Sequence, residues 1–350
     1  MQLFALSIKS AFHFFCFNFL ATRLYTRLNL YRLPLKHHME EKPTCGNSTV
    51  TLLKRRDFVD TLLGAASGAV LLSMPASGIA QGLGHQKQEL TVQQVIDIIL
   101  KSIPNAPFPK TVDTIKSGDP GQKVTGIVTT MFATDEVIEK TAKLGANFII
   151  AHEPTFYNHT DDTEWLKEDD VYKYKRDLLD KHKIVVWRFH DYIHAHKPDG
   201  VLTGVLTKMG WEKYSDTTNP YVVTIPATSF DSVIQRVKNK LDIPHLRVIG
   251  DRSQQCTTVV VAPGAAGGTR QIEAIRKHKP DIFICGELNE WETSEYIRDL
   301  RYMGSKTALI VSGHIVSEEP GLEWLVKWLQ PQMPGTPVTH VPSNDAFTWA

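Results

Sequence analysis

The chain is poor in cysteine: it holds four in 350 residues, and only Cys256 and Cys285 lie beyond residue 80. That excludes a disulfide framework from the body, and with it a zinc site built on thiolates. Charge of one sign is also missing. The formal net charge is +1, but residues 1–80 carry 9 Lys+Arg against 4 Asp+Glu, leaving 30 against 34 in the remainder. So acidic a body has no bulk attraction for a polyanion, and no nucleic-acid partner is expected. No apolar run reaches the roughly 20 residues that a membrane span needs. No Ser-His-Asp order is readable. Gly264-Ala265-Ala266-Gly267-Gly268-Thr269 lacks the Lys-Ser/Thr of a phosphate-gripping P-loop and reads as a tight turn rather than an anion nest. What remains is ordinary globular composition, 42% hydrophobic and 22% charged, enough for one large domain or two lobes.

The first eighty residues read as an address. Lys54-Arg55-Arg56-Asp57-Phe58-Val59 is a twin-arginine pair ahead of a modestly apolar run, Leu62 to Leu72, diluted by glycine and alanine. Gly78-Ile79-Ala80 closes it with small residues before Gln81. This is the layout of a twin-arginine export signal, residues 39–80, implying passage through the bacterial export machinery to the periplasm. A retained membrane tether and an uncleaved cytoplasmic tail are the alternatives. Residues 1–38 have neither caps nor period and read as an over-extended start, with Met39 as the natural beginning.

From Leu90 the pattern turns globular. Thr91 is a helix N-cap for apolar residues at helical spacing up to Leu100, and the Pro-rich loop 104–120 follows. Strands are expected at 124–129, 147–151 and 184–189, with helices at 135–144 and 169–182. After Asn219-Pro220 the pattern restarts. Strands at 221–225, 246–250, 257–262 and 281–285 alternate with helices at 232–241 and 269–278. A helix at 290–303, a strand at 307–312 and a last helix at 322–329 complete the chain. Such alternation predicts an α/β fold with largely parallel sheets. Asn147 to Glu153 and Asp281 to Glu287 both run from a buried strand to an acidic residue, so two related α/β lobes are expected. The first is 89–218, completed by 306–350; the second is 219–305.

Three stretches gather histidine and carboxylate at strand ends, where α/β proteins bind ligands. The first is His152-Glu153-Pro154. Pro154 bars α geometry at Glu153, so the two side chains are expected to diverge, each holding one of a pair of ions. The second is His190-Asp191-Tyr192-Ile193-His194-Ala195-His196, three histidines in seven residues. The third is His314-Ile315-Val316-Ser317-Glu318, with Ser317 a candidate cap for the following helix and Glu318 in its first turn. Imidazole plus carboxylate without thiolate suits zinc, manganese, iron, cobalt or nickel. His196, His159, Asp161 and Asp162 read as solvated loop residues, and Trp324 and Trp328 as a packed helix face.

Ala151 to Phe156, His190 to His194, Asp281 to Glu287 and Ser312 to Glu318, in that order, resemble the Nif-three-like dinuclear metal centre family, also labelled homologues of GTP cyclohydrolase I type 2. Leu246 to Asp251 and the Gly-rich turn match in place, so the resemblance runs from about Leu90 to Trp349. It implies two α/β lobes, two divalent transition-metal ions in a cleft between them, a homohexamer and a small-molecule substrate. The ligand set it implies is His152, Glu153, His194, His314 and Glu318. Glu153 stands where the family usually has His, and His194 where it usually has Asp, so three imidazoles and two carboxylates are kept. The resemblance also points to Glu287, as a supporting group or proton acceptor, and to His190, orienting a ligand or shuttling a proton. The function expected is metal-dependent hydrolysis of a phosphoester or a cyclic amide such as a purine ring. The alternative is a hexameric metal-binding or scaffold protein without catalysis.

Overall fold

Apolar stretches of four residues, bounded by polar turns and alternating with amphipathic helices, are the units from which the body is built. The computed structural model describes residues 89–348. The expected export signal and over-extended start, 1–38 and 39–80, lie outside the described residues. The elements in order are α1 (Val92–Leu100), β1 (Ile115–Ser117), β2 (Ile127–Thr130), α2 (Asp135–Lys143), β3 (Phe148–Ala151), α3 (Asp170–His182), β4 (Val185–Arg188), α4 (Asp191–Ala195) and α5 (Gly200–Met209). There follow β5 (Val222–Ser229), α6 (Phe230–Leu241), β6 (Arg247–Ile249), β7 (Gln255–Ala262), α7 (Gly268–His278), β8 (Ile282–Cys285), α8 (Glu295–Tyr302), β9 (Ala308–Val311), α9 (His314–Leu329) and β10 (Val338–His340).

The strands form two five-stranded sheets, ordered β1-β4-β3-β2-β10 and β5-β7-β8-β9-β6. Their centres are parallel, and β1, β5 and β6 are antiparallel edges. Side chains alternate between two cores, as strand geometry requires. Ile127, Phe148, Ile150, Val185 and Trp187 face a central core shared with Val259, Val261, Ile282, Ile284 and Ile310 of the second sheet. Val128, Ile149 and Val186 face a separate cluster with α2 and α3. Val260, Phe283 and Leu309 do the same with α7 and α8. Both sheets are thus covered on both faces, which is why their central strands are uniformly apolar.

Several elements differ from the sequence reading. The strand at 308–311, expected in the first lobe, pairs with β8 and β6 in the second sheet; the chain returns to the first sheet only through α9 and β10. A short strand, β1, lies inside the Pro-rich loop. Helix α5 was not apparent, because Gly200 and Gly204 dilute its pattern. Those glycines are packing requirements: a Cβ on Gly204 would sit 2.2 Å from the Pro320 carbonyl oxygen of α9. Pro320 lies inside α9 and hides its first two turns from a propensity argument. Ser317 therefore caps nothing; its hydroxyl donates to the His314 carbonyl at 2.7 Å and accepts from Gly264 N at 2.9 Å. No helix among the described residues is long and apolar enough to cross a membrane.

Candidate metal centre

The site forms where strand ends of the two sheets meet. His152 and Glu153 follow β3, His190 and His194 follow β4, and His314 and Glu318 open α9 after β9. In α9 the last two stand one helical turn apart on one face, with His314 Nε2 3.0 Å from Glu318 Oε2. Helix α4 carries His194 and is seated by the loop before β1. The Asp113 carboxylate accepts from His190 N and Tyr192 N, each at 2.8 Å, and Thr111 donates to Asp191.

His152 is fully buried. Its Nδ1 lies 3.2 Å from the Phe189 carbonyl, which can only accept, so the proton belongs on Nδ1 and the lone pair on Nε2. Nε2 finds no hydrogen-bond partner, although Glu318 Oε2 is 3.5 Å and Glu153 Oε1 4.0 Å away. Among the described residues two groups could hold an ion, His152 with Glu153 and Glu318, and His152 with His190 and His194; within each, the ligand atoms lie within 4.8 Å of one another. His314 Nε2 approaches Glu153 Oε1 at 3.3 Å. All five expected ligands are therefore brought together, and His190 joins them more intimately than expected. The divergence expected for His152 and Glu153 does not occur, because both side chains turn toward Glu318. Glu287 is set back, contacting His314 Nδ1 at 3.2 Å with half its side chain exposed.

Two carboxylates among imidazoles create a field that favours a cation. Burial pushes the His314 pKa down, but Glu153 and Glu318 outweigh it and raise it to about 10. Burial likewise opposes, and Glu318 outweighs, at His152, whose pKa is raised. Burial would raise Glu318 and Glu153; the facing imidazoles, led by His152 for Glu318 and His314 for Glu153, hold both below the usual carboxylate range. His190 goes the other way, to about 4, through burial and the neighbouring His152. An orphaned imidazole nitrogen between two low-pKa carboxylates fits a divalent ion.

Other expectations are corrected. Asp161 is no solvated loop residue: its side chain is 2% exposed and lies 3.2 Å from Lys116 Nζ and 3.6 Å from Arg188 Nη1. His196 is buried against Trp324 and Trp328, with ring centroids 5.2 and 5.3 Å away. His159 and Asp162 are exposed. The Gly-rich turn is occupied by protein, since Gly268 N donates to Glu292 Oε2 at 3.0 Å. Asp199 and Arg188 were missed. Asp199 Oδ2 lies 3.0 Å from His194 Nδ1 and accepts from Tyr221 at 2.9 Å, while Oδ1 caps α5 at Leu202 N. Its signal was a capping position ahead of an unrecognised helix. For Arg188 the signal was a charge ending an otherwise apolar strand, Val185-Val186-Trp187-Arg188.

A family model described as Duf34/NIF3 (NGG1p interacting factor 3) matches residues 90–345. The chain belongs to the NIF3 family. A curated relative, the GTP cyclohydrolase 1 type 2 homolog of Clostridium acetobutylicum, is 25% identical over 224 residues, 61% of this chain and 79% of the relative. The fold is similar to that in the crystal structure of a Staphylococcus aureus protein, with TM-score 0.60 and 17% identity over 75% of this chain and 99% of that one. A Bacillus cereus protein related to NIF3 gives TM-score 0.61 and 14% identity, again over 75% and 99%. This NIF3 chain has a buried His/Glu cluster fitted to hold a metal.

Proposed function

We propose that the chain is a metal-dependent hydrolase with a dinuclear centre held by His152, Glu153, His194, His314 and Glu318. The observation that carries this reading is a cavity of about 630 Å³ that opens beside the cluster and is lined by His314, Glu287, Phe132, Arg247 and Ile315. A metal-storage or scaffold protein needs ligands but no such space beside them, which is why catalysis is preferred to the non-catalytic reading. When bound, the ions supply Lewis acidity at the scissile group and lower the pKa of the water that attacks it. The protein's own groups do the rest. Glu287 orients His314 through Nδ1, and His190, held by Asp191 at 3.0 Å, moves a proton at Nε2 on the cluster's edge. Substrates are phosphoesters or cyclic amides such as a purine ring, the latter in keeping with the name of the Clostridium relative. Zinc, manganese, iron, cobalt and nickel all suit the donors. The homohexamer rests on the family resemblance, and export to the periplasm on the twin arginines at 55–56.

The test is elemental analysis and solution mass of protein purified without chelator, followed by a phosphodiester and purine-nucleotide screen of the metal-loaded chain. Turnover that is lost in Glu318→Ala while the assembly persists is expected. Assembly and metal lost together, with no turnover in the wild type, would establish the scaffold reading instead. A reporter fused after residue 85 should reach the periplasm, and its retention would refute export.

A further inference from the structure

Arg188 ends β4 with no exposed surface, a burial that arginine tolerates only among partners. Its Nε donates to the His152 carbonyl at 3.3 Å and its Nη1 to the His159 carbonyl. Nη1 also lies 3.6 Å from Asp161 Oδ2, and Nη2 lies 3.4 Å from Glu153 Oε2. One guanidinium thus ties the backbone of His152, the side chain of Glu153 and the loop through 159–161. The other oxygen of Glu153, Oε1, is the one that faces the imidazoles: 3.3 Å from His314 Nε2, 3.8 Å from His190 Nε2 and 4.0 Å from His152 Nε2.

We propose that Arg188 is a positioning residue that pins Glu153 through Oε2, so that Oε1 alone is presented to the ion and an anion at position 153 becomes obligatory. A neutral side chain at 153 would leave a buried guanidinium facing a dication with no negative charge between them, whereas a carboxylate offsets both at once. Arg188 therefore explains why a carboxylate, and not a second imidazole at this strand end, completes the cluster. The inference rests on the metal-binding reading above for its ligand and on geometry alone for its clamp.

Two measurements on the full chain test it. The first needs no metal: after chelation, melting midpoints are compared for wild type, Glu153→Gln, Arg188→Met and the double variant. The clamp predicts that the double variant loses less than the two single losses combined; additive losses overturn it. The second is cobalt titration followed by visible absorption. Arg188→Met should weaken cobalt binding by about 10–100-fold and shift the ligand-field bands, with partial recovery in Arg188→Lys. Asp161→Asn, which removes another Arg188 partner but not the Glu153 contact, should change neither. Wild-type affinity and spectrum in Arg188→Met overturn the positioning role. A wild-type chain that takes up no cobalt overturns the metal-binding reading, and the melting cycle then still decides the clamp.

Discussion

Gly264 and Gly267 both have positive φ but differ in neighbourhood, and that difference isolates the support of the cluster. Their φ values are +70° and +82°, so alanine at either costs about 1–3 kcal/mol of backbone strain. A Cβ on Gly267 would meet nothing within 4 Å, whereas one on Gly264 would lie 2.2 Å from Glu318 Oε1 and 2.6 Å from its Cδ. Overpacking of that kind adds about 1–3 kcal/mol. Glu318 can relieve part of it by swinging its tip away, but only by leaving His314 at 3.0 Å and His152 at 3.5 Å. Gly264→Ala should therefore cost about 2–6 kcal/mol against about 1–3 for Gly267→Ala, each kcal/mol lowering the melting midpoint by about 2–4 °C for a domain of this size. Urea denaturation gives the stabilities, and melting with and without added manganese or zinc gives the metal response. Gly264→Ala should lose that response and Gly267→Ala should keep it. Equal stabilities and equal metal responses in the two variants would refute the reasoning.

Adding a divalent ion at a hundred times its dissociation constant should stabilise the chain by about 2.7 kcal/mol, and Glu318→Gln should abolish the gain in the same melting assay. Asp199→Asn keeps a capping oxygen for α5 but loses the acceptor opposite His194, so stability in urea should hold while metal affinity falls about 10–100-fold. Gly204→Ala should destabilise by about 1–3 kcal/mol, although alanine normally strengthens a helix interior by up to about 1 kcal/mol. A stabilised variant in urea would contradict the close approach of α5 to α9. Burial pushes the Cys285 thiol up to about 12 from its ordinary 9.0. Its neutral form therefore contributes stability in full below pH 9 that is lost as pH rises toward 12. Consistently, Cys285 should resist thiol reagents at pH 8 until the chain is unfolded, which mass spectrometry after timed labelling will show.

Apolar runs such as Phe148-Ile149-Ile150-Ala151 and Ile282-Phe283-Ile284-Cys285 are short, unbroken and followed by His or Glu. Strand, burial on both faces and functional strand end were therefore all local properties. Thr91 as a cap and the alternating helices were legible for the same reason, since a cap and a period are written within a few residues. Helix α5 and the first turns of α9 were not. Their glycines and Pro320 contradict helix propensity, and only the partner helix, packed backbone to backbone, explains them.

The candidate site divides along the same line. The donor types, their places after three strands and the absence of thiolate are matters of sequence, because side-chain chemistry and strand termini are local. Which donors meet is not local. His152 and Glu318 are far apart in the chain and come within 3.5 Å only because two sheets present their strand ends to one another. The same holds for Asp199 behind His194 and Arg188 behind Glu153, whose roles lie in contacts across the fold. Sequence determined what kinds of group the cluster would contain. Tertiary structure decided which of them face a common point and which buried charges hold them there, because electrostatic support in a dry interior depends on distances that no local pattern encodes.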